Sequence, residues 1–144
     1  MKAVIFYVED HIEEITLFRY FLKKYADEVD LVTFENGPIF LKYLDNNQDE
    51  LIKMQRKRKY CILLDIDLPY INGIDLLKKI KQLEGPASKI PVIMYSSSRR
   101  KHHKEESLNA GAAYFLEKPF DYDGMAENLD FLYHNYLATQ NLTH

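Results

Sequence analysis

The stretch YCILLDIDLPYING, residues Tyr60 to Gly73, decides the fold. Its first half, Tyr60 to Leu64, is an apolar run of strand length. Strands covered on both faces read as such runs. The run ends abruptly at Asp65, and Asp67 and Pro69 follow within a turn. A buried strand has no use for a carboxylate. At the carboxyl end of a strand, however, it opens into the crevice where open α/β sheets bind their ligands. The amino terminus repeats the arrangement, for Ala3 to Val8 (AVIFYV) ends in Glu9 and Asp10.

Working outward, apolar runs alternate with helical spacing. Ile12, Ile15, Phe18, Leu22 and Tyr25 fall three or four apart and predict a helix over Ile12 to Tyr25. Val29 to Phe34 is a second strand. Pro38 suits the first turn of a helix, which Ile39, Leu41 and Leu44 continue toward Lys53, with Asn46-Asn47 as its weak point. Ile74, Leu77 and Ile80 mark a helix that Gly85-Pro86 stops. Pro91 to Tyr95 is the fourth strand. A short polar helix follows and ends at Gly111, a residue suited to a helix C-terminus. Ala113 to Leu116 is the fifth strand, and Tyr122 to Tyr136 the last helix. Five strands alternating with five helices predict an α/β fold. Short right-handed connections make it a doubly wound five-stranded parallel sheet with helices on both faces.

The chain has 144 residues, which fits one domain. We place that domain at residues 1–138, with a frayed tail at 139–144 and no room for an attached output domain. A formal charge of -3 gives no support for nucleic acid as a direct partner. The basic run Lys53 to Lys59 reads as a solvated helix end and loop. The single cysteine, Cys61, lies in an apolar run, reads as a core residue and gives no sign of an oxidising compartment. No stretch has the form of a signal peptide or the length of a membrane span, so the expected location is the cytoplasm.

Four polar features sit at predicted strand ends: Glu9/Asp10, Asp65/Asp67, Ser96 to Ser98, and Lys118. In a parallel sheet they converge on one edge. Three or more clustered carboxylates cannot all stay ionised without a cation. Lys118 supplies one positive charge, and an all-oxygen shell suits a hard ion such as Mg²⁺. With Ser96 as a hydrogen-bond donor, such a site can hold the oxygens of a phosphoryl group. Asp65 at its centre can attack phosphorus and become an aspartyl phosphate.

These residues resemble the response regulator receiver domains of bacterial two-component signalling, over about Lys2 to Asn135. The acidic pair in YVEDH supplies Glu9 and Asp10. Asp65, Pro69 and Gly73 match the D-x-x-x-P-x-x-x-G pattern that opens on the phosphoacceptor. Ser96 in PVIMYSSS stands at the switch hydroxyl, Lys118 in EKPF at the lysine of the Lys-Pro pair, and Phe115 at the rotating aromatic. The resemblance implies a flavodoxin-like receiver fold. It also implies Mg²⁺ held by Glu9, Asp10, Asp65 and the backbone carbonyl of Asp67. Asp65, Ser96 and Lys118 would then carry the chemistry, and Ser96 and Phe115 the switch. The likeness is to stand-alone receivers that pair with phytochrome-like or hybrid kinases. The departures are Glu9 and Ser96, where Asp and Thr are common, Asn72 for a second Asp, and an insertion from about Asn46 to Lys59.

The resemblance implies transfer of a phosphoryl group from a sensor histidine kinase, or a histidine phosphotransfer protein, to Asp65. Output would run through another protein. Phe120, Tyr122 and Tyr133 are candidates for a contact face, and a homodimer stays open. The domain would not be an enzyme beyond phosphorylating itself from phosphodonors and dephosphorylating itself. Two other readings compete. A haloacid dehalogenase-like phosphatase also uses a D-x-D pair (Asp65, Asp67), a hydroxyl (Ser96) and a lysine (Lys118), but places its nucleophile on the first strand. A receiver-shaped interaction module that ignores phosphate would not need the intact acid set.

Overall fold

A computed structural model describes residues 1–97 and 101–138. The expected Ser98 of the serine run and the tail from 139 lie outside the described residues. The strands are β1 (Ala3–Val8), β2 (Val29–Phe34), β3 (Tyr60–Leu64), β4 (Val92–Ser96) and β5 (Tyr114–Glu117). All their pairings are parallel, in the order β2-β1-β3-β4-β5. The helices are α1 (Ile12–Leu22), α2 (Gly37–Asn46), α3 (Gln48–Met54), α4 (Gly73–Gln82), α5 (Lys101–Asn109) and α6 (Tyr122–Leu132). A π-helical turn, Tyr133–Leu137, prolongs α6.

The sheet divides two apolar layers. Val4, Phe6 and Val8 of β1 pack with Phe40, Leu44 and Leu77 on the face covered by α2, α3 and α4. Ala3, Ile5 and Tyr7 pack with Phe18, Leu22 and Leu129 on the face covered by α1 and α6. All six β1 residues are therefore buried, which is why the strand shows no alternation. Cys61 belongs to the second layer, and burial pushes its thiol up to about 12.

The expected helix from Pro38 to Lys53 is two helices. Asn47 takes φ −117°, ψ 20°, and its Nδ2 donates to the Tyr43 carbonyl at 2.7 Å. That local bond competes with the helical ladder. The insertion packs where β3 and β4 begin, at the opposite edge from the strand-end acids. Leu51 is buried there, Gln48 Nε2 donates to the Glu84 carbonyl at 2.8 Å, and Gln55 Nε2 to the Pro86 carbonyl at 2.9 Å. Arg58 is more than a solvated end of the basic run. Its Nε donates to the Lys2 carbonyl at 2.6 Å and its guanidinium pairs with Asp30 at 3.2 Å.

Side chains at the N-termini position the helices beside the sheet. Asn36 Oδ1 accepts from the Ile39 amide, Asn72 Oδ1 from the Asp75 amide, and Asp121 Oδ1 from the Gly124 amide. In α5 only Ser107 is buried, so little apolar packing holds this helix between β4 and β5.

Candidate functional site

Three strand ends place the acids and the lysine together. Val8 pairs with Leu64 in the β1–β3 register, so the residues that follow, Glu9 and Asp65, leave the sheet side by side. Ser96 ends β4, and its carbonyl accepts the Lys118 amide at 2.9 Å. Lys118 is thereby drawn across the sheet edge. Its Nζ donates to Glu9 Oε2 at 2.9 Å and to Asp65 Oδ2 at 3.3 Å, and it pairs with Glu14 from the first turn of α1. The Tyr95 ring lies below, its centroid 5.6 Å from the ammonium.

The charges are held in a dry place. Glu9 is fully buried, and Asp65 is 4% exposed. Burial pushes the Glu9 carboxyl up to about 7, with Asp65 adding and Lys118 opposing. For Lys118, burial alone would lower the ammonium, but Asp65, Glu14 and Glu9 outweigh it and hold the group above its ordinary value.

Beside this ion pair, Glu9, Asp10, His11 and Asp65 each bring one ligand atom to within 4.8 Å of the others. His11 Nδ1 stands 3.0 Å from Glu9 Oε1 and 3.4 Å from Asp10 Oδ1. Its hydrogen bond to Glu9, then the Asp10 charge, raise the imidazole. The carboxylate oxygens fit a hard divalent cation, since the cluster holds more negative charge than Lys118 balances. The Asp67 side chain is not in that group and is exposed. Its backbone amide faces Asp65 Oδ1 at 3.4 Å.

Ser96 is fully buried at the end of β4. Phe115 is half-buried on β5, opposite Met94, against the layer under α2 and α4. Of the expected contact aromatics, Phe120 and Tyr122 are 86% and 69% exposed. Tyr133 is half-buried, one face of its ring stacked on Tyr25 at 4.2 Å between centroids.

Sequence reasoning missed His11, Glu14 and Tyr95. His11 stands next to the acid pair, which was a usable signal. Glu14 reads as an ordinary first-turn acid, favoured there by the helix dipole. Tyr95 reads as one more apolar strand residue.

The loop between β3 and α4 is tight. Tyr70 has φ 69°, the one positive value at a non-glycine position among the described residues, and its side chain is exposed. A Cβ on Gly73 would stand 2.0 Å from the Asp65 carbonyl oxygen. This explains the glycine eight positions after the aspartate.

Lys118→Met is expected to destabilise the metal-free protein by about 3 kcal/mol at pH 8, because it leaves buried carboxylates unpaired. An acid whose folded pKa lies above its unfolded value contributes most below the unfolded value and loses that contribution as pH rises through the folded one. Glu9 is such an acid. The deficit should therefore shrink from pH 8 to pH 6 in urea titrations with a chelator present. A deficit constant across that range would show that unpaired charge is not its cause.

Comparison with known proteins agrees with this geometry. Residues 5–130 match the family described as "Response regulator receiver domain". The receiver-type region of a protein-glutamate methylesterase/protein-glutamine glutaminase from Clostridium acetobutylicum is 39% identical over 89 residues. That match covers 58% of this chain and 25% of that protein. The chain spans between 8% and 45% of the length of the first curated relatives it matches. Among solved structures, the phosphorylated cyanobacterial phytochrome response regulator RcpA superposes with TM-score 0.79 at 26% identity, covering 96% of each chain. The Mn²⁺-bound form of response regulator Rcp1 shares the fold, with TM-score 0.76 at 23% identity over 95% of this chain and 96% of that one. A five-stranded parallel sheet, an acid cluster at its carboxyl edge and a match over residues 5–130 lead to one conclusion: the chain belongs to the response regulator receiver domain family.

Proposed function

We propose that Asp65 accepts a phosphoryl group from a phosphohistidine on a sensor kinase or phosphotransfer protein, and that the change is read by a downstream protein. One observation carries this reading: Asp65, almost buried, stands at a strand end 3.3 Å from the Lys118 ammonium and beside Glu9 and Asp10. Asp65 Oδ forms the new bond to phosphorus while the P–N bond breaks, and its electron pair returns to the imidazole. Glu9, Asp10, Asp65 and the Asp67 carbonyl would hold Mg²⁺, which spreads the charge of the transferring group. Lys118 and the Ser96 hydroxyl bind phosphoryl oxygens. Pulling Ser96 toward the phosphate biases α5 and Phe115 toward a second arrangement, and α5, whose one buried residue is the polar Ser107, has little apolar packing to hold it in place.

An apolar groove of about 750 Å³, lined by Ile12, Thr16, Leu17, Tyr20, Phe21 and Tyr122, opens beside the acids. A helical phosphohistidine-bearing partner fits it, since the groove starts one residue after His11. The reading makes the domain a signalling switch of the cytoplasm, with slow self-dephosphorylation as its only turnover. No helix among the described residues is long and apolar enough to cross a membrane. Residues 1–138 would form the functional unit.

The test is incubation with Mg²⁺ and acetyl phosphate, read by intact mass. One phosphoryl group should be gained, lost to hydroxylamine as an acyl phosphate is, and absent when EDTA is present. Simple phosphate esters should not be turned over, in contrast to a dehalogenase-like phosphatase. A wild-type chain that gains nothing would sink the reading.

A further inference from the structure

Lys118 has one ammonium and three carboxylate partners. Glu9 accepts at 2.9 Å, Asp65 at 3.3 Å, and Glu14 also pairs with it. An ammonium has three protons to donate. All three are thus committed, and none is left for a phosphoryl oxygen. The side chain of Lys118 is only 11% exposed, so water does not readily replace a lost partner.

The three partners differ in their freedom to let go. Glu9 is fully buried at the end of β1, and its other oxygen accepts the His11 amide at 3.2 Å. Asp65 is the acceptor itself. Glu14 projects from the first turn of α1 with 40% of its side chain exposed. It is the partner that water can take over when Lys118 turns away.

We propose that Glu14 is a positioning residue that holds Lys118 in the resting state and competes with the phosphoryl group for it. The proposal rests on Asp65 being the acceptor and adds a device to that site. A phosphoryl group on Asp65 brings a charge of about −1.5 to −2 and three acceptor oxygens. Esterification of Asp65 frees the Lys118 proton that its carboxylate held, for one phosphoryl oxygen, and Lys118 gains a second such contact by releasing Glu14, its exposed partner. The wild-type chain therefore loses one charge-assisted hydrogen bond each time it is phosphorylated. The bland alternative is a helix-dipole acid that touches Lys118 by chance. It predicts a small stability change and no change in phosphorylation.

The experiment compares wild type, Glu14→Gln, Glu14→Asp, Lys118→Ala and the Glu14→Gln/Lys118→Ala double variant. Each is phosphorylated with acetyl phosphate at saturating Mg²⁺. The Asp65–phosphorus bond forms, the P–O bond to acetate breaks, and acetate leaves with the electron pair. Uptake is followed by intact mass, beryllium fluoride affinity by titration, and folding by urea melts. Glu14→Gln should raise the uptake rate and the beryllium fluoride affinity about tenfold, the worth of one charge-assisted hydrogen bond. Glu14→Asp, which keeps the charge, should lie nearer wild type. In the Lys118→Ala background, Glu14→Gln should change neither quantity, because Lys118 is the group through which Glu14 acts.

Equal uptake by wild type and Glu14→Gln, both folded, would overturn the proposal. So would the same acceleration without Lys118, which would assign the effect to bulk charge at the site. If wild type itself takes up no phosphoryl group, the acceptor reading falls and the Glu14 proposal with it, an outcome distinct from both.

Discussion

Asp65→Asn takes up no phosphoryl group from acetyl phosphate, while its fold is kept. This is the expected result of an intact-mass assay run beside a urea melt. The amide oxygen is a poor nucleophile, since its lone pair is shared with nitrogen and it carries no charge. Its geometry is otherwise adequate. The asparagine oxygen can accept the Lys118 ammonium as Asp65 Oδ2 does at 3.3 Å, and the loss is then the long 3.4 Å contact of the Asp67 amide with Oδ1, whose place the amide nitrogen takes. Lys118 also keeps Glu9 and Glu14. One negative charge leaves a cluster that Lys118 alone does not neutralise, so stability should stay within about 1 kcal/mol of wild type. Affinity for Mg²⁺ should fall, because a ligand charge is gone. Uptake of one hydroxylamine-sensitive group by this variant would move the acceptor to a neighbouring carboxylate, Asp10 or Asp67.

Gly73→Ala has the second large effect, and it acts through the backbone. The added Cβ would stand 2.0 Å from the Asp65 carbonyl oxygen, 2.8 Å from its carbonyl carbon and 2.9 Å from Ile66 Cα. These are main-chain atoms and cannot rotate aside. The approach is also fastened, for the Gly73 amide donates to the Ile66 carbonyl at 2.8 Å. Either α4 or the end of β3 must shift. A destabilisation of about 3 kcal/mol or more is expected, together with slower phosphorylation in the fraction that remains folded, since Asp65 moves with its backbone. Gly111→Ala is the control. Gly111 has φ 108°, but the nearest atoms to its Cβ belong to the flexible Lys81 side chain at 3.4 Å. It should cost about 1 kcal/mol from backbone strain and leave phosphorylation unchanged. Equal losses in both variants would remove the close approach at Gly73 as the explanation.

The strands and the acids were legible for one reason. A sheet covered on both faces demands unbroken apolar runs, so the first charged residue after each run marks the open edge. Glu9 and Asp65 were visible in this way, Lys118 came one residue later, after Glu117 and before Pro119, and the structure brings the Lys118 ammonium within hydrogen-bonding distance of both acids. The break at Asn47 was legible as the weak point at Asn46-Asn47, but its cause was not, because an asparagine in a helical pattern can face solvent instead of bonding back to the Tyr43 carbonyl. The seat of the insertion was hidden for a different reason. It depends on Gln48 and Gln55 meeting carbonyls more than thirty residues away. Glu14 and Tyr133 show the same limit. A first-turn acid and a tyrosine near a terminus have many uses, and only the fold shows that one reaches Lys118 while the other lies on Tyr25.

The strand order, with β1 between β2 and the central β3, has a further consequence. Glu9, Asp65 and Lys118 come from three segments distant in the chain, and no single hairpin or helix pair assembles any two of them. A partly folded chain thus has no partial site. A phosphodonor that needs all three groups, or a cation that needs the acids of both β1 and β3, binds native molecules, and by mass action each such binding event adds to the stability of the native state. Signal and quality control then share one equilibrium: a chain able to carry the message has, by that fact, completed its fold.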